Sequence, residues 1–280
     1  SDTFKYTINN RIAKTCEYKG VKFSYAVNND GTATITGLGV DLVGSSTQAD
    51  IAAAYTTNWD GETVTIPGTV DDNGTQRDVV SVSDCAFTVP SSGDWSGSER
   101  DIWNGAKKLV IEKNIKEIGY NAMPLSTTYC DIEELSLPEG LEVIHSWAFS
   151  ASKVKNIEIP ASVTAIGSAA FGDHNTGNTQ LESFTFAKGS KFIDHSEGYY
   201  ESSTTGQVQT QVYKDPEEIL GGLGNVEGGK EYSPMSEMTI PASFMQRDVL
   251  FVRLFNCTDY YYMGDSYPSD MLGTQVNYSG

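Results

Sequence analysis

The chain has 280 residues, 39% hydrophobic and 20% charged, enough for one large domain or two small ones and for a sizeable core without disulfide staples. Its formal net charge is -18 and no run of Lys or Arg occurs. This argues against nucleic-acid binding, which needs a basic patch, and against docking on an anionic membrane surface. Plentiful Gly, Ser, Thr, Asn and Tyr favour strands and turns over long helices. No apolar stretch approaches the length of a spanning helix. The opening Ser1-Asp2-Thr3-Phe4-Lys5 lacks the basic and apolar regions of a secretion signal, as would either a trimmed exported domain or a cytosolic protein.

In chain order, the first predicted element is a β-hairpin. Val21-Lys22-Phe23-Ser24-Tyr25-Ala26-Val27 alternates, Asn28-Asn29-Asp30-Gly31 turns, and Thr32-Ala33-Thr34-Ile35-Thr36 alternates again, with an Asp-Gly turn signal between the runs. It reads as an N-terminal cap, followed by a short helical turn over 48–55. From about Gly61 the chain repeats itself. Leu135-Ser136-Leu137-Pro138 leads to Leu141, Val143-Ile144-His145 and Ala148-Phe149. Ile157-Glu158-Ile159-Pro160 leads to Val163, Ala165-Ile166-Gly167 and Ala170-Phe171. An earlier copy runs from Leu109-Val110-Ile111 to Ile118-Gly119 and Ala122-Met123. The periods differ, 26 and then 22 residues, yet each copy keeps inner spacings of 7 (Ile111 to Ile118, for example) and 5 (Ile118 to Met123). Internal repetition of this kind is the mark of a solenoid.

Flanking copies are weaker. Val64-Thr65-Ile66-Pro67 opens the first and Val82-Ser83-Asp84-Cys85-Ala86-Phe87 closes it, with an insertion whose turn is Asp71-Asp72-Asn73-Gly74. Phe184-Thr185-Phe186 opens another, with Ile193 at the expected spacing but no Ala-Phe. Met238-Thr239-Ile240-Pro241 opens the last, with Leu254-Phe255-Asn256-Cys257 as its candidate close. In each unit the apolar-x-apolar step is a short strand with two side chains in and one out. Pro stops the strand, Ile-Gly turns the chain, and Ala-Phe supplies a close contact and a core filler. One unit cannot bury its apolar face alone, so the units stack and their strands form a parallel ladder.

Between the last copies, Gly198-Tyr199-Tyr200-Glu201 and Val208-Gln209-Thr210-Gln211-Val212-Tyr213 read as a protruding hairpin. The tail from Asp259-Tyr260-Tyr261-Tyr262 reads as a C-terminal cap. The divisions expected are 1–60 for the cap, 61–187 for the repeats, 188–235 for the inserted hairpin and linker, and 236–280 for the degenerate last repeat and second cap. Of Cys16, Cys85, Cys130 and Cys257 none forms a C-x-x-C pair, and three fall in the repeat register. They read as buried free thiols.

The run from Ile159 to Phe171, and the opening Asn29-Asp30-Gly31-Thr32-Ala33-Thr34-Ile35-Thr36-Gly37, resemble the BspA-like leucine-rich repeat proteins of bacterial cell surfaces over about residues 20–258. The resemblance implies a right-handed leucine-rich-repeat-like solenoid, mostly β with irregular or short helical turns, a parallel strand ladder, an N-terminal hairpin cap and an inserted hairpin. It also implies export, surface attachment and adhesion to host or matrix components. This chain departs from the pattern in having few, irregular copies and no sorting motif.

Catalytic signatures are missing. The histidines are His145, His174 and His195, with no H-E-x-x-H and no G-x-S-x-G. The acidic pairs Asp71-Asp72, Glu133-Glu134 and Glu217-Glu218 fall in predicted turns or strand starts, where solvated side chains are usual. No calcium loop or phosphate loop is present, and no cofactor is expected. The candidate binding residues are the outward strand positions Thr65, Val110, Ser136, Glu158, Thr185 and Thr239, beside Lys108, Glu134 and Asn156. Tyr199 and Tyr200 of the hairpin are rival contacts, since Tyr suits interfaces. The expectation is a non-catalytic binding module, outside the cell or on its surface, for a host or matrix protein or glycan. A carbohydrate-active enzyme fragment and a structural spacer are the alternatives.

Overall fold

The computed structural model describes residues 14–39, 59–87, 106–123, 132–149, 153–167, 170–171 and 182–190, together with the backbone of strands at 198–201, 208–211, 237–240 and 259–262. Among these residues every regular element is a strand. The expected helical turn at 48–55, Ile193, Cys130 and 254–257 lie outside them.

The chain opens with a three-stranded antiparallel meander: β1 (Lys14–Tyr18), β2 (Val21–Val27) and β3 (Ala33–Leu38). The sequence reading placed β2 and β3 but not β1. Lys19 and Gly20 join β1 to β2 with φ of 48° and 80°, the two positive angles that a tight hairpin turn matching the strand twist requires. At the β2–β3 turn the Asp30 carboxylate accepts from the Thr32 amide (3.0 Å) and hydroxyl (2.6 Å). Phe23, Tyr25, Ala33 and Ile35 point into the core.

The first coil contains β4 (Thr63–Ile66), β5 (Thr69–Asp72) and β6 (Thr75–Val82). The predicted insertion is an antiparallel hairpin, β5 against β6, turning at Asn73-Gly74. Each later coil supplies two strands: β7 (Lys108–Ile111) with β8 (Glu117–Ile118), β9 (Glu134–Ser136) with β10 (Val143–Ile144), and β11 (Asn156–Ile159) with β12 (Ala165–Ile166). Then come β13 (Ser183–Phe186), the antiparallel pair β14 (Gly198–Glu201) and β15 (Val208–Gln211), β16 (Glu237–Ile240) and β17 (Asp259–Tyr262).

Two parallel ladders result. One runs β4-β7-β9-β11-β13-β16-β17, and the other β6-β8-β10-β12, extended by β3 of the cap through Ile35 opposite Val82. Three expectations change here. The Ile-Gly step is a two-residue strand of the second ladder, because the Ile118, Ile144 and Ile166 positions stack in register and can share ladder bonds. Asp259–Tyr262, read as a cap, is the seventh rung of the first ladder, with Tyr260 opposite Met238. Cys16 and Cys85 are half-buried cysteines outside any disulfide, not fully buried ones; what burial Cys16 has pushes its thiol up to about 11, against a small opposing hydrogen bond from the Phe23 backbone.

The chain reverses two residues before the aromatic slot. Cys85, Asn121 and Trp147 there have φ of 53°, 47° and 64°. The glycine of Ile-Gly serves close packing instead: a Cβ on Gly119 would stand 2.5 Å from the Asp84 amide nitrogen. Between the ladders the core fills as predicted. Leu109, Ala122, Met123, Ala148, Phe149 and Ala170 are fully buried. Phe149 and Phe171 stack at 5.4 Å, and Phe184 meets Phe171 edge-on at 5.9 Å. Burying each such ring contributes about 1.5–3 kcal/mol.

Candidate ligand-binding face

The outward positions of the first ladder form a row by strand register. Thr65 lies opposite Val110, Val110 opposite Ser136, and Glu158 opposite Thr185. Ser136 and Glu158 are exposed, while Val110 and Thr185 are half-buried. Thr65 departs from the expectation: it is 2% exposed, so at the ladder edge the outward position is covered and Thr65 cannot meet a ligand. Thr239 follows on β16, which pairs with β13. Tyr199 and Tyr200 belong to the separate two-stranded sheet, opposite Thr210 and Gln209. The side chains of Thr239, Tyr199 and Tyr200 lie outside the described residues.

The flanking row is cross-linked. Lys108 pairs with Glu134 at 3.1 Å, and the Ser183 hydroxyl donates to the Asn156 amide oxygen at 2.6 Å. Lys155 pairs with Glu133, which holds the Lys155 ammonium above its ordinary value. Between β9 and β11 the face dips into a depression of about 210 Å³, lined by Ser136, Leu137, Glu139, Glu158 and Pro160 among others. Pairing of β9 with β11 is confined to Glu134 opposite Asn156, whereas β7 and β9 pair at three positions. Neither Glu139 nor Glu158 was expected to share a hollow, because the opening of one rung has no signature in the local pattern.

Of the acidic pairs, Asp71 and Glu134 are exposed, as the sequence suggested, Glu217-Glu218 lie outside the described residues, and Asp72 departs from the expectation. Asp72 is 6% exposed and accepts from Lys14 and from Arg77 Nε at 2.7 Å. Those two hydrogen bonds, Lys14's first, hold its carboxyl below the usual range. Tyr25 donates to the same carboxylate at 3.4 Å, and burial, then the charge of Asp72, pushes the Tyr25 phenol up. On the second ladder His145 meets Glu117 at 2.6 Å, which lowers the Glu117 carboxyl. Among the described residues no group of three or more His, Cys, Asp or Glu could hold a metal ion, and no helix is long and apolar enough to cross a membrane.

Residues 103–205 match the family model of the BspA type leucine rich repeat region (6 copies). No curated protein matches the chain in sequence. Among solved structures, the chain is similar to a leucine-rich repeat protein from Bacteroides capillosus, 26% identical, covering 53% of this chain and 84% of that one with a TM-score of 0.35. It is also similar to the pneumococcal vaccine antigen PcpA, 20% identical, covering 82% of this chain and 45% of that one with a TM-score of 0.47. A leucine rich cell surface protein from Faecalibacterium prausnitzii is 18% identical, covering 82% and 71%, with a TM-score of 0.22. The repeated inner spacing and the stacked parallel strands agree with this match: residues 103–205 are similar to a BspA-type leucine-rich repeat region.

Proposed function

We infer that the chain is a non-catalytic binding module of an exported or surface-attached protein, and that the first ladder presents its contact face to a protein or glycan of a host or matrix. The observation that carries this reading is the outward row of the first ladder, Val110 opposite Ser136 and Glu158 opposite Thr185, with a depression in it. Solenoids use extended strand faces of this kind to bind partners. The family match supports the placement at a cell surface. The described acidic pairs are engaged otherwise: Asp72 is neutralised by Lys14 and Arg77, and Glu133 and Glu134 hold Lys155 and Lys108. A glycosidase needs two carboxylates free to face each other across a bond.

The test is capture by the immobilised chain of matrix proteins and of an arrayed glycan panel. Saturable binding is expected, weakened at least tenfold by Ser136→Arg or Thr185→Arg and unchanged by Thr75→Arg on the remote hairpin. Silence across both panels would overturn the reading.

A further inference from the structure

The pair Asn73-Gly74 stands at the exposed tip of the β5–β6 hairpin. Its amide is placed unlike those of other asparagines in the coils and cap. Asn28 donates to the Thr32 hydroxyl at 2.9 Å, and Asn114 donates to the Gly68 carbonyl and the Asp78 carboxylate, each at 3.0 Å. Asn156 accepts from the Ser183 hydroxyl at 2.6 Å. A residue with a side chain follows all three: Asn29, Ile115 and Ile157. The Asn73 amide makes no hydrogen bond with any described residue, so its carbon can be approached and its nitrogen can leave.

The backbone beside it is equally open. Gly74 has a φ of 88°, and nothing stands within 4 Å of a Cβ built on it. Closing a five-membered ring between the Gly74 nitrogen and the Asn73 side-chain carbon needs the intervening peptide to rotate out of its turn orientation, which glycine resists least. The nitrogen must also give up its proton. The Asp71 carboxylate already accepts from the Gly74 amide at 2.6 Å, within the reach of a general base. Its second oxygen accepts from the Gln76 amide at 3.1 Å, which holds it in place.

We propose that Asn73 is a site of self-modification, at which the chain converts asparagine to aspartate and isoaspartate through a cyclic imide. The Gly74 nitrogen attacks Asn73 Cγ as its proton passes to Asp71. The new C–N bond forms, the Cγ–Nδ2 bond breaks, and ammonia leaves with the proton that Asp71 took up. Water then opens the ring at either carbonyl, and opening at the backbone carbonyl routes the chain through the former side chain. Isoaspartate puts an extra carbon into a two-residue turn, and both products add a negative charge beside Asp71 and Asp72. The register of Asp72 opposite Thr75 and Val70 opposite Arg77 is then strained at the turn, which loosens the hold of Arg77 on Asp72 and on the Gly31 carbonyl.

The test is incubation of the folded chain in mildly alkaline buffer at body temperature. Fragment mass spectra locate each amide that has become a carboxyl, and isoaspartyl methyltransferase with a labelled methyl donor counts the isoaspartate. The parent is compared with Gly74→Ala, which hinders ring closure, and with Asp71→Ser, which keeps an oxygen that can accept in the turn but removes the base. Circular dichroism establishes that all three are folded. Isoaspartate at position 73 is expected to accumulate in the parent. Asp71→Ser is expected to slow it by about tenfold, short of the roughly hundredfold of an evolved general base, and Gly74→Ala at least as much. An unmodified Asn73 in the parent would overturn the proposal. So would modification confined to Asn104, which also precedes a glycine, or a rate in Asp71→Ser as fast as the parent's or faster.

Discussion

A Cβ on Gly167 would stand 2.1 Å from the Ser146 amide nitrogen, far inside contact. The same slot in successive coils holds Ser83, Gly119, His145 and Gly167, so a side chain and a glycine alternate up the stack. Gly167→Ala should therefore destabilise by about 1–3 kcal/mol, the usual penalty of overpacking, while His145→Gly should not open a comparable clash; urea unfolding of both variants checks this. Asp72 makes a second prediction. Its folded carboxyl is held below the unfolded value, so the stability it contributes is present above the unfolded value, about 4, and is lost as pH falls through the folded one. Asp72→Asn should lower the melting midpoint at pH 7, and the gap to the parent should close on acidification. The glycine slot was legible in the sequence as a position, but its reason was misread as a turn. The reversal falls on Cys85, Asn121 and Trp147, of which only Asn has a left-handed preference. Thr65 shows a similar limit: alternation gives its register with Val110 but not the burial that leaves it 2% exposed.

Elements inherit these constraints. The β5–β6 hairpin turns at Asn73 and Gly74, with φ of 54° and 88°, and the Asp71 carboxylate accepts from the Gly74 amide at 2.6 Å. Nothing stands within 4 Å of a Cβ on Gly74. Gly74→Ala should thus cost only its backbone conformation, about 1 kcal/mol, whereas Phe171→Ala, which empties a slot between Phe149 and Phe184, should cost about 3–5 kcal/mol. The ratio of the two, measured by denaturant unfolding, separates turn strain from core loss. Strands of the first ladder were readable because apolar-x-apolar followed by a stop is a pattern. Strands β8, β10 and β12 are two residues each, too short to show a period. β17 was hidden by its three consecutive tyrosines, although Met238 to Tyr260 spans 22 residues, the interval from Leu137 to Ile159. The depression was invisible for a related reason: Leu135-Ser136-Leu137 has the same pattern as its neighbours, and only the stacked structure opens the rung.

On the scale of the whole molecule, a stack in which each coil touches its neighbours has stability that sums locally, and an end can open without the middle. The N-terminal meander is tied to the stack by its polar contacts as well as by β3. Lys14 reaches Asp72 in the first coil. Tyr18 and Lys19 reach Glu112 in the second at 2.7 and 3.0 Å, and Glu112 also accepts from the Gly68 amide at 3.2 Å. Burial raises the Glu112 carboxyl, but these hydrogen bonds outweigh it and leave the group lowered. Tyr18 is pushed the other way, up to about 12, by burial first and by Glu112 second. The signs then differ at the two ends of the pH range. The Glu112 contribution is full above the unfolded carboxyl value and is lost in acid. The Tyr18 contribution is full below the unfolded phenol value, about 10, and is lost as pH rises towards 12. Tyr18→Phe/Glu112→Gln should therefore flatten both limbs of the stability profile. In hydrogen exchange the double variant should lose amide protection across β1 to β3, at residues 14–38, while β11 and β13 keep theirs. Loss of protection spread evenly through all coils would instead mean that the meander and the repeats unfold as one unit, and that the cap governs the whole stack.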